Sequence, residues 1–425
     1  MTQPPQSKSP VDAQEFLNIA VLVGRKYLAC GGPTSRLENK LTLAGNRFGF
    51  FTQVFATPTG IIVTVKDEST NTTITEMGRI DDGSIHLAEL ADTETWLNKF
   101  AGEEKDLQKI QTHFSQPEKL KSVYPTYIVI TSAFLIGSCA SIARYNHLTM
   151  GIISGVISTT VLVASSPLKS RYRLSGVFCD FFGSILAFAL SFVFTQLFSV
   201  PVEGVVAGTL VMLVPGLTLT TAVSELADHN FVSGTAKMMK GILTLLAMGI
   251  AYLLFIDLQV YFNGYDASTQ AELGPLLFGW HRLMVSFFCN VGSVLGFCVL
   301  LRVPKNAVAI ATFIGALSWW ALNLLGQPNL VVLAPFTTAL LVGLVSLAFG
   351  RAFSLPSQVY SVPGILSLVP GMLALSSFGT MNVDVPAGEK LFKATLIASS
   401  VVFGLFTARV PFVVFNKKNT FGTGE

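Results

Sequence analysis

A cluster of hydroxyl and carboxyl side chains follows a Pro-Gly pair near the middle of the chain. Its members are Thr218, Thr220, Thr221, Ser224, Glu225 and Asp228. From Thr221 onward the side chains recur at spacings of three and four, so a helix would place them on one face. Such a face can bind an amino or hydroxyl group, and its carboxylates can take up a proton. The alternative is a helix end at the membrane surface with solvated charges.

A further carboxylate, Asp180, lies inside the apolar segment LSGVFCDFFGS. An ionisable group in hydrocarbon costs about 2.5 to 3.5 kcal/mol on insertion scales, so it usually faces a cavity or a partner. We predict that Asp180, Glu225 and Asp228 couple transport to protons, and Asp180 is also a candidate ligand for a substrate ammonium. The alternative for Asp180 is a structural ion pair with Arg171 or Arg173.

The segment LVPG occurs twice, at 213–216 and at 368–371. Proline removes a backbone donor and clashes with the preceding turn, so each copy is expected to interrupt a membrane helix. Helices interrupted at equivalent positions of two inverted repeats form substrate sites near the membrane midplane. The alternative is a simple kink. The predicted substrate-binding residues are Pro215, Gly216, Thr218, Thr221, Glu225, Pro370 and Gly371.

Two lysines one turn apart begin the helix that follows each LVPG copy. The segments TAKMMKGIL and GEKLFKATL align Lys237 with Lys390 and Lys240 with Lys393. On opposite sides of a membrane, such pairs can act as inner and outer gates or attract a substrate carboxylate. The alternative is that they are interfacial lysines with no special role.

Charge is distributed unevenly along the chain. Of its 425 residues 12% are charged, against roughly 25% in soluble globular proteins. Residues 1–125 hold 13 Lys and Arg and 15 Asp and Glu, whereas residues 126–415 hold 13 and 9. This contrast predicts a soluble first part and a membrane-embedded second part.

Ten apolar stretches after the first part are long enough to cross a bilayer. They are 126–144, 148–166, 174–199, 202–223, 238–262, 275–301, 306–325, 330–350, 357–380 and 388–415. The two LVPG copies lie five spans apart, and because five is odd, a duplicated unit would enter the membrane from opposite sides. We therefore predict an α-helical polytopic membrane protein with ten transmembrane helices as two inverted five-helix repeats, preceded by a small α+β cytoplasmic domain.

Lysine and arginine flanking the spans indicate the orientation, because short loops rich in these residues stay in the cytoplasm. With the N-terminus inside, thirteen such residues fall on the inner side and four on the outer side. The start of the sequence is polar, so we predict no cleavable signal peptide. We predict a multi-pass protein of the plasma (inner) membrane with both termini cytoplasmic.

The first part alternates helical and strand patterns. Helices are expected at 12–28, 34–48, 86–100 and 103–114, and strands of an antiparallel sheet at 52–56, 61–66 and 72–79. The predicted domains are a disordered N-terminus at 1–11, the α+β domain at 12–122, the two membrane repeats at 123–262 and 275–415, and a cytoplasmic tail at 416–425.

The sequence offers no signature of catalysis or of a cofactor. It has no Gly-rich phosphate loop, no G-x-S-x-G segment and no cysteine pair at metal-ligand spacing among its five cysteines. The formal charge of +3 and the absence of a dense basic run argue against a nucleic-acid partner. We predict no cofactor, no metal and no enzymatic activity.

Three segments resemble the threonine/serine exporter family: CGGPTSRLENKLTLAGNRFG at 30–49, FATPTGIIVTV at 55–65 and VPGLTLTTAVSELADHNFVSGTAK at 214–237. In that family a soluble domain precedes five spans, and a second five-span unit is fused or encoded separately. The resemblance covers nearly the whole chain and implies a fused member.

The resemblance implies a secondary active transporter that exports small amino acids such as threonine and serine by proton antiport with alternating access. The partners expected are an amino-acid substrate, protons and membrane lipids, and a homo-oligomer stays open. Two alternatives also stay open. One is an exporter of another small solute such as a dicarboxylate, and the other is a membrane-bound hydrolase acting through the soluble domain.

Overall fold

The computed structural model describes residues 12–80, 83, 85–102, 107–115, 123–172, 174–263, 280–325, 330–369, 371, 373 and 387–421. The predicted disordered N-terminus at 1–11 and Pro370 lie outside the described residues. The chain forms two compact units. The first unit comprises the described parts of Met1–Val123 together with Ser224–Lys237, and the second unit comprises those of Tyr124–Val223 and Met238–Glu425.

The first unit combines four helices with a three-stranded sheet. Its elements are α1 (Ala13–Ala29), α2 (Thr34–Arg47), β1 (Phe50–Thr57), β2 (Gly60–Asp67), β3 (Thr72–Arg79), α3 (Leu87–Gly102) and α4 (Leu107–Ser115). The strands are antiparallel in the order β1-β2-β3. The small antiparallel sheet predicted from alternation is confirmed, with boundaries within two residues of those expected.

The core of the first unit lies between its helices and one face of the sheet. Phe16 of α1 is fully buried and its ring contacts those of Phe48, Phe50 and Phe100, at centroid distances of 5.4 to 5.6 Å. Asp12 caps α1 by accepting a hydrogen bond from the backbone N–H of Gln14. The aromatic cluster thus joins α1, β1 and α3.

Among the residues that the structure describes, the second unit is built from helices joined by turns. Its helices are α5 (Thr126–Tyr145), α6 (Leu148–Ser170), α7 (Gly176–Phe198), α8 (Val202–Leu210), α9 (Gly216–Ala227), α10 (Phe231–Asn263), α11 (Trp280–Leu300), α12 (Val308–Leu325), α13 (Leu333–Ala352), α14 (Gln358–Gly364) and α15 (Ala387–Phe421). The end of α9 and the start of α10 belong to the first unit.

Eight helices among the described residues are long and apolar enough to cross a membrane: α5, α6, α7, α10, α11, α12, α13 and α15. A multi-pass membrane protein is therefore confirmed. The predicted fourth span at 202–223 is divided into the short helices α8 and α9, and the predicted ninth span begins with the short helix α14. The count of ten transmembrane helices stays a prediction.

Two helices extend at least six residues beyond the spans that the sequence predicts. α10 begins at Phe231, because the N–H of Gly234 bonds the carbonyl of Asn230 and starts the helix early. Lys237 and Lys240 are therefore the seventh and tenth residues of α10 and do not lie at its start. α15 continues to Phe421, beyond the predicted span end at 415.

Several helix-packing pairs in the two halves of the second unit correspond. α5 packs on α6 as α11 packs on α12, and α6 packs on α7 as α12 packs on α13. α8 contacts α6 and α7, and α14 contacts α12 and α13 in the same way. α5 and α11, the first helices of the two halves, pack directly on each other. A duplicated five-helix unit would give this correspondence, and its inverted arrangement stays a prediction.

Glycines allow the helices of the second unit to approach closely. A Cβ atom on Gly208 of α8 would lie 2.6 Å from the backbone oxygen of Gly137 and 2.9 Å from Cβ of Ser154. Backbone cannot give way as a flexible side chain can, so this position accepts no larger residue without a shift of α8 against α5 and α6.

We predict that Gly208→Ala lowers the free energy of unfolding by about 1 to 3 kcal/mol, the usual cost of overpacking. Gly176→Ala is the matched control, since a Cβ there meets nothing within 4 Å. Unfolding of both variants in detergent micelles measures the difference. Equal stability of the two variants would contradict the close approach.

Candidate functional site

The two LVPG segments form the same turn. After α8, the N–H of Leu213 donates to the carbonyl of Leu210 at 2.9 Å. After α14, the N–H of Leu368 donates to the carbonyl of Ile365 at 2.8 Å. Each bond closes a tight four-residue turn just before the Pro-Gly pair, so both interruptions arise where the sequence predicts them. We call these segments the LVPG turns.

The two LVPG turns are in contact. A Cβ atom on Gly216 would collide with Cγ1 of Val369 and lie 3.5 Å from Cα of Gly371. Reciprocally, a Cβ on Gly371 would collide with Cγ1 of Val214 and lie 3.4 Å from Cα of Gly216. The contact is the same from both sides, as across a two-fold axis. Only glycine lets the two backbones meet at this distance.

The hydroxyl groups after the first LVPG turn bond back to their own helix. Thr220 is buried and donates to the carbonyl of Gly216, and half-buried Thr221 donates to the carbonyl of Thr218 at 2.9 Å. Each hydroxyl keeps oxygen lone pairs for another donor. Thr218 is half-buried one turn from the contact between the LVPG turns.

A polar pair beside the second LVPG turn was missed by the sequence analysis. Ser367 bonds the side-chain oxygen of Asn290 at 2.7 Å, and the Asn290 amide donates to the carbonyl of Gly315 at 3.3 Å. The pair joins α11, α12 and the residue preceding Leu368. An asparagine inside an apolar span was the available signal, because polar groups in membrane helices usually bond across helices.

Asp180 lies nearer the helix end than the sequence predicts. It is the fifth residue of α7, about one turn from Ser175, whose side chain caps the helix by accepting from the N–H of Phe178 at 3.3 Å. The sequence predicts a span that begins at 174, two residues before α7 begins. Asp180 is half-buried, and Arg173 lies outside the described residues.

Glu225 is at the centre of a buried polar cluster within the first unit. Its side chain is 5% exposed. Lys237 Nζ lies 2.6 Å from its Oε1, and Thr34 donates to the carboxylate through its backbone N–H at 3.3 Å and through its hydroxyl. The structure therefore brings together two predicted residues, Glu225 and Lys237, and adds Thr34, the first residue of α2.

The surroundings of Glu225 favour its ionised form. Burial alone would raise the pKa of this carboxyl, but the Lys237 ammonium and the Thr34 donors outweigh burial and lower the pKa below its ordinary value. In this conformation Glu225 is an ionised, bonded carboxylate at neutral pH. Each of these contacts opposes protonation of Glu225, so loss of a partner would favour the uptake of a proton. Asp228, one turn further, is half-buried.

The aligned lysines share a pattern of exposure. Lys237 is partly buried, and Lys390, its counterpart, is 7% exposed. Lys240 is exposed, and Lys393 forms a half-exposed ion pair with Glu389 at 2.7 Å. In each half the first lysine of the pair is thus the more buried of the two.

The segment that contains Thr34 forms further buried polar contacts in the first unit. Arg36 pairs with buried Glu94 at 2.5 Å, and Glu38 accepts from the backbone N–H of Ala56 at 2.8 Å. Burial raises the pKa of Glu94, and the Arg36 charge partly offsets this effect. Gly32 packs against the ring of fully buried Tyr27. The residues described hold no cluster of three His, Cys, Asp or Glu side chains suited to a metal ion.

Family models match both halves of the chain. A threonine/serine exporter model matches residues 18–259, and a second model, described as threonine/serine exporter ThrE, matches residues 285–410. The chain belongs to the threonine/serine exporter family. Both matches lie in one chain, so this exporter family member is the fused form that the resemblance implied.

The chain is also similar to two curated proteins at low sequence identity. Pheromone-regulated membrane protein 10 of Kluyveromyces lactis is 20% identical over 98% of this chain and 46% of its own length. The protein of the same name from Yarrowia lipolytica is 20% identical over 69% of this chain and 25% of its own length. This chain thus spans less than half the length of each of the two relatives. No solved structure gives a significant match.

We predict that cysteines at Val214 and Val369 are joined by a short crosslinking reagent, because each valine packs on the glycine of the other LVPG turn. The five native cysteines are replaced first. A protease site inserted within 264–279 makes the link visible, since the cleaved halves then stay together on a denaturing gel. Each single cysteine variant serves as the control, and separation of the halves in the double variant would contradict the contact.

We predict that Lys237→Met lowers the free energy of unfolding by about 3 kcal/mol, because it leaves the buried Glu225 charge without its cation. Lys240→Met is the matched control, since Lys240 is exposed, and its effect should stay within about 0.5 kcal/mol. Adding Glu225→Gln to Lys237→Met should recover much of the loss. Unfolding in detergent micelles gives all three values, and an equal loss in the two lysine variants would contradict the pairing.

Proposed function

We propose that this protein is a secondary active transporter that exports small amino acids of the threonine/serine type by proton antiport with alternating access. The observation that carries the proposal is the reciprocal contact of the LVPG turns. Secondary transporters with repeated halves bind their substrates at such interrupted helices. Membership of the exporter family supports the direction of transport.

The substrate site that we propose lies at the LVPG turns. The first turn of a helix leaves backbone N–H groups without intrahelical acceptors and favours anions, so the start of α9 after Pro215 suits an amino-acid carboxylate. A side-chain hydroxyl on the substrate can bond Thr218, Thr221 or the Asn290–Ser367 pair. Gly216 and Gly371 keep the site narrow. Pro370 would give the second half the same interruption.

Protons are proposed to move through carboxylates of the first five-helix half. Asp180 near the start of α7 is a candidate for proton coupling or for the substrate ammonium. Glu225 is bonded to Lys237 and Thr34 in this conformation, and Asp228 lies beside it. A gating role for the lysines is supported by the matched burial of Lys237 and Lys390.

The remaining sequence expectations belong to the same proposal. The protein is proposed to lie in the plasma (inner) membrane with both termini cytoplasmic. In this proposal ten spans form two inverted repeats, and the α+β domain at 12–122 is cytoplasmic. The proposed partners of the whole protein are the amino acid, protons and lipids.

We predict that the purified protein in liposomes exports threonine and serine against a gradient only when a pH difference is imposed. Asp180→Asn should reduce this gradient-driven export at least tenfold while exchange of labelled threonine continues, because exchange needs no net proton movement. Asp67→Asn is the control, since Asp67 lies at the end of β2 in the first unit and its carboxylate accepts hydrogen bonds from nearby Ser69.

Two outcomes would contradict the proposal. Export that persists unchanged after a protonophore collapses the pH difference would remove proton antiport. Transport of a dicarboxylate in place of threonine and serine under the same conditions would replace the substrate class. Equal loss of export and exchange in Asp180→Asn would instead assign Asp180 to substrate contact or to structure.

A further inference from the structure

The start of α2 has no capping side chain of its own. Its N-cap residue is Pro33, which makes no side-chain cap bond. The N–H of Thr34 is one of the amides that a helix leaves without an intrahelical acceptor. Instead, this N–H donates to Glu225, 191 residues later in the sequence. A carboxylate at this position is stabilised by the bond and by the partial positive charge of the helix N-terminus.

The Thr34 hydroxyl donates to the second oxygen of the same carboxylate. Thr34 is fully buried and the carboxylate is nearly so, which means that water cannot easily take the place of either donor. Lys237 bonds the first oxygen from α10. The carboxylate is therefore held from two elements, by two donors of Thr34 and by one ammonium.

The preceding residues of the segment position Thr34. Gly31 adopts a left-handed backbone with φ 87°, a conformation that favours glycine. Gly32 then packs so closely on the Tyr27 ring that a Cβ would collide with it. These two glycines direct the chain into Pro33, so that α2 begins with its first amide aimed at Glu225.

Other titratable groups near Glu225 add negative charge when ionised. Tyr27 of α1 and Glu38 of α2 both interact electrostatically with Glu225, and burial raises the pKa of each. Both are neutral over a wider pH range than usual for that reason. Among the described groups that face Glu225, Lys237 is the cation, and Thr34 supplies the neutral donors.

We propose that Thr34 is a positioning residue for export: it holds the Glu225 carboxylate ionised and bonded to Lys237, and Glu225 accepts a proton only after the Thr34 contact opens. This inference rests on the proposed proton antiport. It assigns to the CGGPTSR segment a part in proton coupling, through a contact inside the first unit.

The test compares Thr34→Val with Thr34→Ser. Valine keeps the shape and the N–H but removes the hydroxyl donor, whereas serine keeps the donor. The initial rate of threonine export is measured at a constant pH difference while the absolute pH is varied. We expect the midpoint of the pH profile to move upward by about one pH unit in Thr34→Val, because a lost donor to a carboxylate raises its pKa. Thr34→Ser should keep the wild-type midpoint.

A structural role would give a different result, namely a lower rate at every pH with an unchanged midpoint. An unshifted midpoint in Thr34→Val, or an equal shift in Thr34→Ser, would overturn the proposal. Thr34→Ala replaces Thr34→Val if the valine variant does not fold, with the same expectation.

Infrared titration of the purified protein separates this inference from the proposed function. The protonated-carboxyl band of Glu225 is assigned by its loss in Glu225→Gln, and its titration midpoint should rise in Thr34→Val but not in Thr34→Ser. A wild-type protein that does not move threonine with protons would refute the proposed function while this titration still tests Thr34. An unchanged infrared midpoint in Thr34→Val overturns the positioning role even if export is proton-coupled.

Discussion

A helix that breaks inside a membrane leaves backbone amides and carbonyls without partners, and hydrocarbon supplies none. Both interruptions in this protein meet that constraint in the same way. A hydrogen bond closes a four-residue turn before each Pro-Gly pair, and the two LVPG turns lie against each other through Gly216 and Gly371. The backbone of each LVPG turn therefore lies against the other turn. Around this contact lie the helices that pack in corresponding pairs in the two halves.

Polar side chains in the protein likewise bond to other polar groups of the protein. Asn290 and Ser367 bond each other and the backbone of α12 beside the second turn. In the first unit, Glu225 is bonded by an ammonium and by the start of α2. Charges and amides that would be costly alone are grouped, and each group lies next to an interruption or a helix end.

The sequence predicts local structure well where a single physical effect determines that structure. Alternation predicts the strands of the sheet to within two residues, because successive side chains of a strand point to opposite faces and only one face is buried. Proline and glycine predict both interruptions. Glu225 and Lys237 are each identified as unusual charges close to an apolar span, but their pairing depends on the turn between α9 and α10. Thr34 has no local signal, since its partner is 191 residues away. The depth of Asp180 depends on where α7 begins, which the Ser175 cap decides and apolar composition does not.

The reciprocal packing of valine on glycine makes the two LVPG turns share one fixed volume. Val214 fills the space beside Gly371, and Val369 fills the space beside Gly216. An atom gained by one turn must be lost by the other, so neither half can change its sequence here independently. Where the two halves of such an exporter are encoded as separate chains, this shared volume would also serve as a check on correct assembly, because only halves with complementary turns can close against each other.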